Sequence, residues 1–421
     1  MVTGERRDPR RIQRSGLEPS GLEAVGSCDT GEGPSGDGWA QRINSRLRDI
    51  RDAGRWRSPR EFDAVGQVGV LSPPRRGQCV GSAECDEARG SRETVSFASN
   101  DYLGLSAHPR VKAAAHAAIE RWGTGSGGSR LVTGSRPIHR ELEEALASFK
   151  SCEAAICFPT GYAANLGVLG VLGTRDTRIL SDELNHASIV DGCRISRAEV
   201  SVYRHLDVDH ISDLLKECEK PSIVVTDTVF SMDGDIAPLG DIAEVCRKYA
   251  AILVVDEAHG VLGPQIDQEL LRELPVVRVG TLSKALGAAG GFVAASHETV
   301  DLLINQARPY IFTTSLAPPV AAAAKAALEV LESREGETLC GRLRELVNRV
   351  RPGHPSPIIP IVLGSEERAL NASASLLEKG IFVPAIRPPT VPVGTSRLRL
   401  TVSAAHSDEQ IDRLNDALAT L

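Results

Sequence analysis

Lys284 lies in the stretch Thr281-Leu-Ser-Lys284-Ala-Leu-Gly287, between the apolar runs Val276–Val279 and Phe292–Ala295, which read as buried strands. An ammonium in such a place either finds a partner or gives up its proton more readily, and a neutral lysine amine attacks carbonyls to form a Schiff base. From this stretch alone a solvent-facing loop lysine stays open as the alternative. A carboxylate stands at an equivalent place upstream, where the run Ile252–Val255 ends in Asp256-Glu257-Ala258-His259-Gly260. At a strand tip Asp256 either caps the next helix or faces the nitrogen of a pyridine ring. In the second role it keeps that nitrogen protonated, at about 1.4 kcal/mol per pKa unit, and makes the ring an electron sink.

Asp256 upstream of Lys284, each ending its own strand, is the arrangement that pyridoxal phosphate (PLP) enzymes use. Two turns add to it. In Phe158-Pro-Thr160-Gly161-Tyr162-Ala163-Ala164-Asn165, Thr160 is suited to cap a helix, and the N–H groups of Gly161 to Ala163 could hold a phosphate. In Asp182-Glu-Leu-Asn185-His186-Ala187-Ser188, the imidazole of His186 is either an ordinary surface group or a flat partner for a planar cofactor. The run Gly123-Thr-Gly125-Ser-Gly127-Gly128-Ser129-Arg130 resembles a phosphate cradle but follows no strand, so it reads as a loop of close backbone approach.

These residues need a rigid frame, and the sequence supplies one. Further strand-like runs are Val95–Ala98, Ala155–Phe158, Ile179–Leu180, Val200–Tyr203 and Ile223–Thr226. Helix-like segments lie between most of the runs, among them Pro137–Lys150, Ala163–Leu172, Ile211–Lys216 and Leu239–Tyr249. Continuous apolar strands separated by helices imply a mostly parallel sheet covered on both faces, with the ligand at the carboxyl ends of its strands. After about Pro318 an alanine-rich helix, Val320–Leu331, leads to a smaller unit with a strand near Ile358–Leu363, a helix near Ser365–Lys379 and a last strand Arg397–Val402. A closing helix, Ser407–Leu421, begins with the capping box of Ser407 and Gln410. The expected divisions are a disordered tail over 1–37, an N-terminal helix and connecting segment over 38–96, a large domain over 97–318 and a small one over 319–421. Within 38–96, Trp39, Ile43, Leu47 and Ile50 share one helical face, and 58–94 shows no clear period.

At 421 residues, 42% hydrophobic and 24% charged, the chain has the make-up of a globular protein with a large core. A formal net charge of −7 gives no reason to expect nucleic acid or anionic membrane as a partner, and no apolar run approaches a membrane span. The nine cysteines form no CxxC pairs, so they read as reduced thiols of a cytoplasmic protein, with no metal site expected. Arg6, Arg7, Arg10, Arg11 and Arg14 are interleaved with Glu5, Asp8, Glu18, Glu23 and Asp29, which favours a tail over an organelle address.

Several motifs in one order resemble the α-oxoamine synthases, fold-type-I PLP enzymes that condense an amino acid with an acyl thioester and lose CO2. They are Ser99-Asn100-Asp101-Tyr102-Leu103-Gly104-Leu105, Gly125 to Arg130, Asn185 to Ser188, Asp227 to Asp235, Val255 to Gly260 and Thr281 to Lys284. The resemblance implies a PLP transferase fold and gives Lys284, His186 and Asp256 catalytic roles. Lys284 would hold the cofactor and move a proton, Asp256 would pair with the ring nitrogen, and His186 would stack on the ring. By the same resemblance Ser231 and His259 contact the phenolic oxygen, and Gly161, Tyr162 and Thr281 hold the cofactor. Thr313 and Thr314 would bind its phosphate from the second chain of a homodimer.

For the substrate, the resemblance assigns Arg399 and Asn100 to the amino-acid carboxylate, and a guanidinium does form a bidentate pair with a carboxylate. The stretch Ala385 to Thr401, with Arg387 also assigned to substrate, is most similar to the branch that joins L-alanine to a pimeloyl thioester, on coenzyme A or an acyl carrier protein, in biotin synthesis. A glycine-using relative with a short acyl-CoA is the neighbouring alternative, and a non-catalytic PLP-fold subunit a further one. Three departures bear on acyl-chain handling. Val261 to Gln265 runs early into a helix where the family has a glycine-rich stretch, the segment between Val350 and Pro357 is short as if a strand were missing, and residues up to 92 match poorly.

Overall fold

The computed structural model describes residues 37–57, 59–72, 92–261 and 274–421. The tail expected over 1–37 lies outside the described residues up to residue 36, and so does the helix expected after Gln265. The chain divides into two units, Met1–Pro59 with Arg75–Cys85, and Arg60–Pro74 with Asp86–Leu421. In the first, the helix Asp37–Asp52 carries Trp39, Ile43 and Ile50 exposed on one side.

The second unit is built on strands. In chain order they are β1 (Glu61–Val65), β2 (Val68–Ser72), β3 (Arg92–Ser96), β4 (Ala154–Phe158), β5 (Arg178–Asp182), β6 (Glu199–Tyr203) and β7 (Ser222–Asp227). Then follow β8 (Ile252–Asp256), β9 (Val276–Thr281), β10 (Gly291–Ala295), β11 (Ile358–Gly364), β12 (Ile381–Phe382), β13 (Ala385–Ile386) and β14 (Ser396–Thr401).

The central sheet has the order β4-β10-β9-β8-β7-β5-β6. Its pairings are parallel except at β10, which runs antiparallel to both neighbours. Adjacent strand residues point to opposite faces, so Val225 and Val254 enter one core with Phe158, Val168 and Ile179, while Val224 and Val255 enter the other with Ile211, Ile242 and Leu253. All six residues of β7 are buried, which is why the run reads as continuous rather than alternating. Each buried Val, Leu or Ile contributes about 1.5–3 kcal/mol, enough to fix the register that brings strand tips together.

The smaller C-terminal domain holds the antiparallel sheet β11-β14-β13. Residues 351–357 turn directly from the helix Arg334–Val350 into β11, and the sheet there is three-stranded. The closing helix runs Asp408–Leu418, with the N–H of Gln410 on Ser407 Oγ at 3.2 Å and the N–H of Ser407 on Gln410 Oε1 at 3.0 Å. A third sheet, β1-β2-β3-β12, occupies part of the stretch where the sequence shows no period. There Gly66, at φ +68°, begins the two-residue turn that folds β1 back onto β2.

Candidate active site

The carboxyl ends of β7, β8 and β9 bring the chemistry together. Parallel pairing sets Asp227 opposite Asp256, and β9 ends at Thr281, three residues before Lys284. Lys284 is half-buried; desolvation lowers its pKa, against the opposing pull of Asp256 and Asp227, and Arg399 lowers it further. Asp227 is buried and its pKa is pushed well above the usual range, first by burial and then by the neighbouring Asp256. Its Oδ2 accepts the backbone N–H of His186 at 2.8 Å, which seats the turn before the helix Ala187–Ile195.

Asp256 is fixed at both oxygens. The N–H of Ala258 reaches Oδ1 at 2.9 Å, and the side-chain amide of Asn165 donates to Oδ2 at 2.6 Å. His186 caps its helix by accepting the N–H of Ser188 on Nδ1 at 3.2 Å, with Ser188 Oγ 2.7 Å from the same nitrogen. Burial lowers the pKa of His186 and Lys284 adds to that, while Asp256 acts the other way. His259 is buried with Nδ1 2.5 Å from the hydroxyl of Tyr102, and burial pushes its pKa well down, helped by Lys284 and Arg399.

The helix Gly161–Leu172 starts where β4 ends. Thr160 caps it with its hydroxyl on the N–H of Ala163 at 3.0 Å, and its carbonyl takes the N–H of Ala164. Of the three amides that the sequence offered to a phosphate, the cap uses that of Ala163 and leaves those of Gly161 and Tyr162. A Cβ on Gly291 would stand 2.5 Å from Gly161 N, so this cradle exists only because β10 starts with glycine. Thr281 closes it, 3.4 Å from a Cβ built on Gly161, and gives its hydroxyl proton to Gly290 O at 2.9 Å. Two N–H groups at a helix start, a braced carboxylate, a flat imidazole and a desolvated lysine are the donor set that a phosphate, a pyridine nitrogen and an aldehyde require. The residues present fit PLP.

Arg399, on β14, is buried and arrives from the small domain. Its Nε donates to Ser231 O, Nη1 to Thr401 Oγ1 at 3.0 Å and Nη2 to Asn100 Oδ1 at 3.2 Å. These bonds leave two of the five guanidinium N–H groups, with the Tyr102 hydroxyl beside them. Ser231 lies in a loop tied down at several points. Arg397 pairs with Asp233, Ser356 Oγ donates to Gly234 O at 2.7 Å, and Gly234, at φ +70°, has no room for a Cβ beside Ile358 O. Arg387 stands 3.7 Å from the carboxylate of Glu366. Thr313 and Thr314 follow the short helix Arg308–Ile311 at the surface, next to the exposed Phe312, while Tyr162 donates its hydroxyl to Asp191.

Asn165, Ser188, Asp227 and Tyr102 were given no roles by the sequence. Their signal was present as polar residues inside otherwise buried runs, but each also bonds a partner 23 to 157 positions away.

A family profile for aminotransferase class I and II matches residues 92–418. The 8-amino-7-oxononanoate synthase of Anaeromyxobacter dehalogenans (strain 2CP-1) is 51% identical over 348 residues, covering 79% of this chain and 87% of that one. Among solved structures, a high-resolution SPT holding PLP superposes with a TM-score of 0.79 at 31% identity, covering 90% of this chain and 96% of that one. The 8-amino-7-oxononanoate synthase of Francisella tularensis gives a TM-score of 0.65 at 27% identity, over 78% of this chain and 97% of that one.

Proposed function

This chain belongs to the aminotransferase class I and II family, as an α-oxoamine synthase, and from that premise we infer how its residues perform the reaction. It is a PLP-dependent acyltransferase of biotin synthesis that condenses L-alanine with a pimeloyl thioester, giving 8-amino-7-oxononanoate, CO2 and the free thiol. The observation that carries the assignment of roles is the convergence of Lys284, Asp256, His186 and Arg399 on the carboxyl ends of the parallel strands.

PLP, when bound, supplies the electron sink for a carbanion at the alanine Cα. Arg399, steadied by Asn100 and Ser231 O, would grip the alanine carboxylate and fix the orientation of the substrate. The Lys284 amine, its pKa already lowered by burial, takes that proton at Nζ. Asp256 would keep the ring nitrogen protonated, His186 would cover the ring face, and His259 with Ser231 would hold the phenolic oxygen. Gly161, Tyr162 and Thr281 hold the phosphate end. Thr313 and Thr314 of a second copy complete that end in a homodimer, a reading supported by their surface position beside Phe312. Arg387 orients the substrate from the edge of the small domain. The six cysteines among the described residues are all unpaired, which suits a cytoplasmic enzyme.

The test is product formation by the PLP-loaded enzyme with L-alanine and pimeloyl thioester, on coenzyme A or acyl carrier protein, read by mass spectrometry with release of thiol and CO2. Turnover with glycine and a short acyl-CoA but not with L-alanine contradicts the substrate assignment.

A further inference from the structure

Asn165 lies four residues after Gly161, so the helix that offers its first N–H groups to a phosphate also carries this amide along the same face. The side chain is 1% exposed. Its nitrogen donates twice, to Asp256 Oδ2 at 2.6 Å and to Ser188 Oγ at 2.8 Å. The opposite amide orientation would press a carbonyl oxygen against a carboxylate. Ser188 Oγ, having accepted from Asn165, has a single hydrogen left, and 2.7 Å away stands Nδ1 of His186. The backbone N–H of Ser188 faces that same nitrogen at 3.2 Å. The backbone N–H can only donate, so Nδ1 presents its lone pair, the Ser188 hydroxyl turns its hydrogen to the same nitrogen, and the ring proton sits on Nε2. An imidazolium would turn an N–H against the backbone N–H of Ser188.

The same amide works on Asp256. A donor on Oδ2 and the Ala258 N–H on Oδ1 each favour the ionised carboxylate. The titratable groups that act with His186 through space are Asp256, Lys284 and the buried His259, and Asp227 holds its backbone N–H. We propose that Asn165 is a positioning residue which, through Ser188, locks His186 as the neutral Nε2–H tautomer while bracing Asp256 as an anion. A protonated ring nitrogen then has its counter-ion on one contact and an uncharged imidazole on the other, with no like charge stacked against it. This rests on the PLP reading for its purpose but not for its geometry, which the chain contains by itself.

The experiment is nitrogen-detected NMR of the histidine rings in the full-length apo protein, labelled at histidine, across a pH titration. Loss of a resonance in His186→Gln identifies the signal. The wild type should show the Nε2–H form throughout the neutral range. In Asn165→Ala and Ser188→Ala, His186 should gain at least tenfold in proton affinity and populate both tautomers, and Ser188→Thr should restore the wild-type pattern. In the holoenzyme the acid limb of kcat should move up with it, and PLP should bind at least tenfold more weakly in Asn165→Ala. If Asn165→Ala does not fold, Ser188→Ala, which deletes one hydroxyl, carries the comparison. A folded Ser188→Ala protein whose His186 titrates as in the wild type overturns the proposal. Failure of the wild type to bind PLP, with the tautomer result intact, would instead count against the cofactor reading.

Discussion

Replacing Arg399 with lysine keeps the positive charge and removes the planar fork. In the structure the guanidinium is 5% exposed, so water cannot stand in for lost bonds. It donates to Ser231 O, Thr401 Oγ1 and Asn100 Oδ1, three acceptors that a shorter, compact ammonium cannot reach together. A bidentate carboxylate pair comprises two charge-assisted hydrogen bonds of about 1.5–3 kcal/mol each. If the ammonium recovers one of them, with poorer aim, the loss is about 2–4 kcal/mol, or roughly 30- to 900-fold in kcat/KM for L-alanine. The assay is steady-state kinetics with each substrate varied at saturating concentrations of the other. KM for L-alanine should rise sharply, while KM for the pimeloyl thioester stays within about threefold, a change worth well under 1 kcal/mol. An Arg399→Lys enzyme whose alanine kinetics match the wild type, with the thioester KM raised instead, would refute the placement of the carboxylate.

Two further predictions concern what holds the strand tips. Burial would raise the pKa of Glu257, but Lys150 at 2.6 Å and Arg278 at 2.7 Å outweigh it and hold it low. Glu257→Gln leaves both cations uncompensated and should cost about 3–5 kcal/mol in urea unfolding; a loss below about 1 kcal/mol would mean that the pair is solvated. His205 sits between Asp182 at 2.9 Å and Asp235 at 2.8 Å; burial opposes its charge, yet these two bonds raise its pKa to about 10. A raised folded pKa stabilises fully below the free value of 6.5 and fades as pH climbs to about 10. The thermal midpoint of the wild type should therefore exceed that of His205→Gln most at pH 6.5 and below, and the gap should close by pH 10. A gap that is constant or widens over that window contradicts the clamp.

The central sheet could be read from the sequence because its strands are buried on both faces and so appear as unbroken apolar runs; Ile252–Val255 and Val276–Val279 need no partner to be recognised. The hairpin of β1 and β2 could not. It is short, partly exposed and pairs with β3, whose other neighbour, β12, lies almost 300 residues on, so no local period marks it. At the site the same division holds. Lys284 and Asp256 stand out because charge at the end of an apolar run is costly without a purpose. The bracing of Asp256 by Asn165, the seating of His186 on Asp227 and the pressure of Asp256 on Asp227 arise only from bonds across 91 and 41 positions and from register, which no spacing rule encodes. The cap by Thr160 shows the converse, since the residue was recognised but the amide it consumes, that of Ala163, is settled by geometry.

The most direct measurement is borohydride reduction of the PLP-loaded enzyme followed by peptide mass spectrometry. The cofactor should be found reduced onto Lys284, with none in Lys284→Ala, and that variant should form no 8-amino-7-oxononanoate. Cofactor fixed at another lysine, or substantial product from Lys284→Ala, would contradict the account.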